Sequence, residues 1–161
     1  MKRGIALLVL IAAMIGPAGA EVTNGTAAKV PSYQARGANE IADAGSLAPA
    51  LQGKPVVVRI HADWCPACKA TQATIDELKQ SYAGRINFVQ FDVTNANTAA
   101  ASQAEAQKLG LEKFYDAAKS ATSTVAVIAP KDGKVYAAFY NDNAIGDYKT
   151  AIDSALTAES R

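Results

Sequence analysis

Two cysteines, the only two in the chain, stand as Trp64-Cys65-Pro66-Ala67-Cys68. No other feature constrains the chain as much. An apolar, β-branched run (55–60) leads into them, and a helical pattern (69–82) follows. A helix that starts at the first cysteine turns unpaired backbone N–H groups and a positive dipole end toward its sulfur. Both favour thiolate over thiol, and the thiolate is the nucleophile. The pair reads as a dithiol/disulfide redox centre, the redox-active disulfide being Cys65–Cys68. A purely structural disulfide is the weaker reading, because a loop this short gains little from closure entropy. Zinc or iron–sulfur binding is likewise a minor reading, since one CxxC and a single histidine supply too few ligands within one chain, although a dimer could supply more. No metal site and no cofactor is expected.

The remaining composition sets bounds. The chain has 161 residues, 50% hydrophobic and 19% charged, which suits one globular domain with a real core. A formal net charge of +1 gives no basic footprint, so no nucleic-acid partner is expected. Residues 1–20 read as a signal peptide. Lys2 and Arg3 form the positive start, residues 5–15 the apolar segment, and Ala18-Gly19-Ala20 the cleavage site. That apolar segment is short of the ~20 residues needed to cross a bilayer, so no membrane span is expected after cleavage. Of 16 basic residues, losing Lys2 and Arg3 leaves 14 against 15 acidic ones, a net charge of −1. Cleavage after Ala20 predicts a periplasmic or otherwise exported protein, where disulfides form and persist.

Residues 21–38, polar and punctuated by Asn24-Gly25 and Pro31, read as a flexible lead-in, and 39–161 as the folded domain. Within it, 39–51 holds one short helix or turn. Residues 55–60 form a strand buried on both faces. A helix follows to Tyr82, with Pro66 in its first turn and Gly84 ending it. Strand 86–93 comes next, then helices 99–109 and 111–119 separated by Gly110. Strand 124–129 and strand 134–140 form a hairpin around Lys131-Asp132-Gly133, and helix 148–156 closes the chain. Strands joined by a helix should be parallel and the hairpin antiparallel, giving a mixed central sheet with helices on both faces.

That element order, with W-C-x-x-C after the first inner strand, resembles the thioredoxin-like superfamily over residues 53–156. The resemblance implies an α/β fold, a thioredoxin-like mixed central β-sheet flanked by helices. It also implies roles. Cys65 attacks a client disulfide, Cys68 resolves the mixed disulfide, and Trp64 forms surface beside them. Pro66 and Ala67 fill the dipeptide that sets redox poise.

Three positions depart from the family pattern. Relatives carry a cis-proline before the hairpin strand, and counting back from Lys131-Asp132-Gly133 puts Thr124 there. A non-proline cis bond costs about 3–4 kcal/mol, so Thr124 is expected in trans, with its hydroxyl near the sulfurs. The family's buried proton-relay aspartate, six residues before the first cysteine, is Arg59, and a guanidinium cannot accept a proton. Arg59 either lowers a thiolate pKa by charge attraction or pairs elsewhere, with Asp92 or another carboxylate, as a structural residue. The segment 92–124 is longer than in thioredoxins and adds a turn or subdomain near the active-site edge.

His61, the sole histidine, either tunes the thiolate or packs as a hydrogen-bonded ring. Asp63 reads as a solvated acid. The expected function is a periplasmic thiol–disulfide oxidoreductase that reduces protein disulfides. Its partners would be proteins bearing thiols or disulfides and a redox partner protein. The alternative is a non-enzymatic thioredoxin-like module that binds a partner, metal or Fe–S cluster through the same cysteines.

Overall fold

The structure, a computed structural model, describes residues 41–159. The expected signal peptide (1–20) and lead-in (21–38) lie outside the described residues. A single 3-10 turn at Pro49–Leu51 precedes the sheet. The elements then run β1 (Val56–His61), α1 (Pro66–Ala70), α2 (Gln72–Ser81), β2 (Asn87–Asp92), α3 (Ala96–Leu109), α4 (Glu112–Ala118), β3 (Thr124–Ile128), β4 (Val135–Tyr140) and α5 (Ile145–Glu159).

The sheet order is β2-β1-β3-β4. Strands β1 and β2 are parallel, in register Val57↔Phe88 and Arg59↔Gln90. The β1–β3 and β3–β4 pairs are antiparallel. This is the mixed sheet read from the element order. The β-branched run of β1 lies at the sheet's centre, where both faces are covered, and its first five residues are buried.

Side-chain alternation splits the interior in two. On one face Val56, Val58 and Ile60 meet Phe91, Leu111, Phe114 and Tyr115, so α3 and α4 cover that side. On the other, Val57, Val125 and Val127 meet Ile75 and Leu78 of α2 and Tyr148 and Ile152 of α5. The long 92–124 segment is therefore a layer of the core. Tyr115 ties its two helices together, its hydroxyl donating to the Ala99 carbonyl at 2.9 Å.

Three helix boundaries differ from the sequence expectation. The expected continuous helix after the cysteines breaks at Thr71, whose hydroxyl bonds back to the Ala67 and Cys68 carbonyls at 3.1 and 3.2 Å. Helix α3 starts three residues before Ala99, because Asn95 and Thr98 form a reciprocal capping box. Helix α5 starts before Tyr148, where Asp142 caps the chain by accepting the Ala144 N–H at 2.7 Å. Gly110 ends α3 with φ 72°, and a Cβ there would run into the Ser46 carbonyl.

Candidate active site

Strand β1 delivers the site. After His61 the chain turns through Ala62, Asp63 and Trp64 and enters α1 with Cys65 as its N-cap and Pro66 in the first turn. The Cys65 sulfur takes the place of a capping oxygen, accepting the Cys68 N–H at 3.2 Å. The Cys65 N–H in turn donates to the Ala62 carbonyl at 3.1 Å. Cys65, Cys68 and Ala62 form a small apolar cluster with Ala67 and Val93 against it. Neither cysteine is in a disulfide. Cys65 retains a sliver of exposure at 4%, and Cys68 has none. The Cys68 thiol faces the Ile60 carbonyl at 3.9 Å.

The two thiols are driven apart in acidity. Burial pushes Cys65 up, but hydrogen bonds from the Cys68 thiol, the Thr122 hydroxyl and the Cys68 and Ala67 backbone N–H groups outweigh it. The net position is below an ordinary thiol. Burial pushes Cys68 up, and the proton it shares with Cys65 adds to that, while Arg59 opposes it. Helix α1 has only five residues, so these direct donors carry the effect rather than a long helix dipole.

Trp64 is 61% exposed, yet its indole N–H donates to the Thr94 carbonyl at 2.9 Å. The Asp63 N–H donates to the Thr94 hydroxyl at 3.0 Å. The loop before the cysteines is thus fastened to the β2–α3 loop, with one large aromatic face left open beside Cys65. His61 turns to Asp63, Nε2 to Oδ1 at 3.1 Å, while its buried Nδ1 has no partner among the described residues. No hydrogen bond joins His61 to either cysteine among the described residues.

Arg59 is fully buried on the α2 and α5 side of the sheet. Its Nη2 donates to the Cys68 carbonyl at 2.6 Å and to the Thr71 hydroxyl at 3.4 Å. Its Nη1 donates to Gln72 Oε1 at 2.8 Å and to Gln90 Oε1 at 3.4 Å. It forms no ion pair with Asp92. That carboxylate is instead occupied by the Thr94 N–H at 2.7 Å.

Thr124 does not bring its hydroxyl to the sulfurs. The hydroxyl donates to the Ala121 carbonyl at 2.7 Å, held on its own turn. The side chain from this segment that helps hold the Cys65 thiol below its ordinary pKa is Thr122, which the sequence reading missed. Between them Ser123 takes a left-handed backbone, φ 70°, and donates its N–H to the Ile60 carbonyl at 2.9 Å. That anchors the segment beside the cysteines. No cis peptide bond and no cluster of three or more His, Cys, Asp or Glu able to hold a metal occurs among the described residues.

Comparison with known proteins identifies the family. The thioredoxin family model matches residues 46–130. A thiol:disulfide interchange protein TxlA homolog from Synechocystis sp. is 44% identical over 50 residues, 30% of this chain and 28% of that protein. Thioredoxin C-2 from Corynebacterium nephridii is 41% identical over 46 residues, 29% of this chain and 43% of that protein. The chain thus spans less than half the length of these curated relatives. Among solved structures, MTB dsbF in its mixed oxidized and reduced forms aligns at 17% identity and TM-score 0.48, covering 66% of this chain and 84% of that one. Among the described residues no helix is long and apolar enough to cross a membrane.

Proposed function

The chain belongs to the thioredoxin family, and from that premise we propose that it is an exported thiol–disulfide oxidoreductase that reduces protein disulfides. The observation that carries the reading is the asymmetry of the pair. The Cys65 sulfur caps α1 and accepts N–H and O–H donors, while Cys68 is wholly buried behind it.

The chemistry follows from that asymmetry. Cys65 gives its proton to solvent, and its thiolate attacks one sulfur of a client disulfide. A Cys65–client disulfide forms, and the other client sulfur leaves as a thiolate that takes up a proton. Cys68 then loses its proton, and its thiolate attacks the Cys65 sulfur. The Cys65–Cys68 disulfide closes and the second client thiol departs. Two electrons pass from the dithiol to the client, and no cofactor takes part. A redox partner protein restores the dithiol. Trp64 offers the open aromatic surface on which a client chain can lie, and Pro66 and Ala67 leave the approach to Cys65 free of bulk.

Two further observations support the details. The relatives' names describe thiol:disulfide interchange for those proteins, so proteins bearing thiols or disulfides are the fitting clients. Export, with release of the mature chain to the periplasm or an equivalent compartment, rests on Lys2, Arg3, the apolar 5–15 segment and Ala18-Gly19-Ala20. The test is insulin reduction with dithiothreitol as donor. The mature chain is expected to accelerate precipitation of insulin chains and Cys65→Ser to abolish it. A wild-type protein without turnover that carries bound metal would overturn the reading in favour of a binding module.

A further inference from the structure

A charged side chain that is fully buried normally has an opposite charge in contact. Arg59 does not. The acceptors around its guanidinium are a backbone carbonyl, a hydroxyl and two amide oxygens, all neutral, and its Nε has no partner among the described residues. The nearest carboxylate reaches it second-hand. Gln72 takes the Arg59 Nη1–H on its oxygen at 2.8 Å and passes its own N–H to exposed Asp76 at 3.0 Å. On the other side the guanidinium sits 2.6 Å from the carbonyl of Cys68 itself.

We infer that Arg59 is the counter-charge of the dithiol: its buried cation, left without a carboxylate in contact, holds negative charge on the Cys65–Cys68 sulfurs in the reduced protein. The titratable groups facing Arg59 are Cys68 and Cys65 from the motif, Asp76 from α2 and Tyr148 from α5. Burial works against the Arg59 charge, and Cys68 is the strongest of the groups that sustain it, ahead of Asp76 and Cys65. The same attraction acts in reverse on the Cys68 proton.

The device differs from a proton relay. A guanidinium accepts no proton, so Arg59 makes the Cys68 proton easier to lose without receiving it. The proton goes to solvent or to the departing client thiolate, and the balance of the exchange is unchanged. Because the cation favours the reduced, anionic pair, it quickens thiolate attack and makes the pair a weaker reductant than it would be with a neutral residue there. This rests on the disulfide-exchange reading for its use, but not for its measurement.

The experiment compares Arg59→Met, Arg59→Gln and Arg59→Lys in the mature chain, each checked for folding by circular dichroism. Two quantities are read: iodoacetamide alkylation against pH, and the redox equilibrium with glutathione. The neutral variants are expected to move the alkylation midpoint up by about one pH unit. They should also raise the disulfide-to-dithiol ratio about tenfold at a fixed glutathione poise, about 30 mV more reducing. Arg59→Lys should restore much of both. Midpoints and ratios equal to wild type in a folded neutral variant would overturn the inference. Stability supplies a second readout, compared between wild type and Arg59→Met. The denaturation midpoint of the reduced form should gain on that of the oxidised form as pH rises from the alkylation midpoint toward the free-thiol value of ~8.5. A gain in folded Arg59→Met as large as in wild type contradicts the inference. Loss of insulin turnover with these shifts intact would count against the exchange reading alone.

Discussion

The backbone N–H of Cys68 points at the sulfur of Cys65 from 3.2 Å. A sulfur in that position gains from carrying charge, whereas burial works against charge on the Cys68 sulfur behind it. In reduced protein at pH 7, Cys65 should therefore be alkylated at least ~10-fold faster than Cys68, read by peptide mapping after limited iodoacetamide treatment. Equal labelling would contradict the asymmetry. The two thiols also act oppositely on stability. The lowered Cys65 pKa contributes stability above the unfolded thiol's pKa, and this is lost as pH falls through the folded value. The raised Cys68 pKa contributes stability below the unfolded value, lost as pH rises through the folded one.

Thr122, not Thr124, should control the nucleophile from the β3 side. A hydrogen bond to a charged group is worth about 1.5–3 kcal/mol, and one pKa unit is about 1.4 kcal/mol. Thr122→Val should raise the Cys65 alkylation midpoint by about one unit. Thr124→Val should leave it in place, because that hydroxyl is spent on the Ala121 carbonyl at 2.7 Å. The reverse ranking would mean that the segment sits in a different register.

Much of this was legible in the chain. The unbroken β-branched run of β1 reports a strand covered on both faces, and its junction with Trp64–Cys68 places the motif. What stayed hidden depends on contacts between distant segments. Gln90 meets Arg59 only because β2 pairs with β1 at that register. Gln72 reaches it only because the chain bends at Thr71, whose side chain competes with the helix for its own carbonyls. Thr122 was missed because counting back from the Lys131-Asp132-Gly133 turn finds a position, not an orientation. The backbone turns left-handed at Ser123, between the two threonines, and the Thr124 hydroxyl is held by the Ala121 carbonyl.

Ser123 itself is strained. It is a non-glycine residue at φ 70°, fully buried, with an Oγ that has no partner among the described residues. The left-handed backbone costs about 1–2 kcal/mol for an L residue, and glycine removes that and the orphan hydroxyl. Glycine also gains unfolded-state freedom of about 0.5–1 kcal/mol. Ser123→Gly should thus stabilise the domain by about 1 kcal/mol, seen as a rise in urea midpoint at constant slope. A loss of stability would show that the Ser123 side chain has a partner that the described residues do not supply.

Tyr82 predicts an alkaline weak point. Burial, then the hydrogen bond to Asp153 at 3.0 Å and that carboxylate's charge, raise it to about 12. With the folded value above the unfolded one, its contribution is complete below about pH 10 and lost as pH climbs toward 12. Tyr148 is raised in the same direction, chiefly by burial. Urea midpoints measured from pH 8 upward should fall across this window in wild type and less steeply in Tyr82→Phe. Identical slopes would remove Tyr82 from the account.

In the proposed exchange Cys65 attacks and Cys68 resolves. Trapping with a disulfide-bonded peptide separates the two roles. Reduced Cys68→Ser protein should accumulate one stable adduct, mapped by mass spectrometry to Cys65. Wild type should release the peptide as thiols and finish with a Cys65–Cys68 disulfide. No adduct on Cys68→Ser, or an adduct on wild type that persists without closing the internal disulfide, would contradict the mechanism.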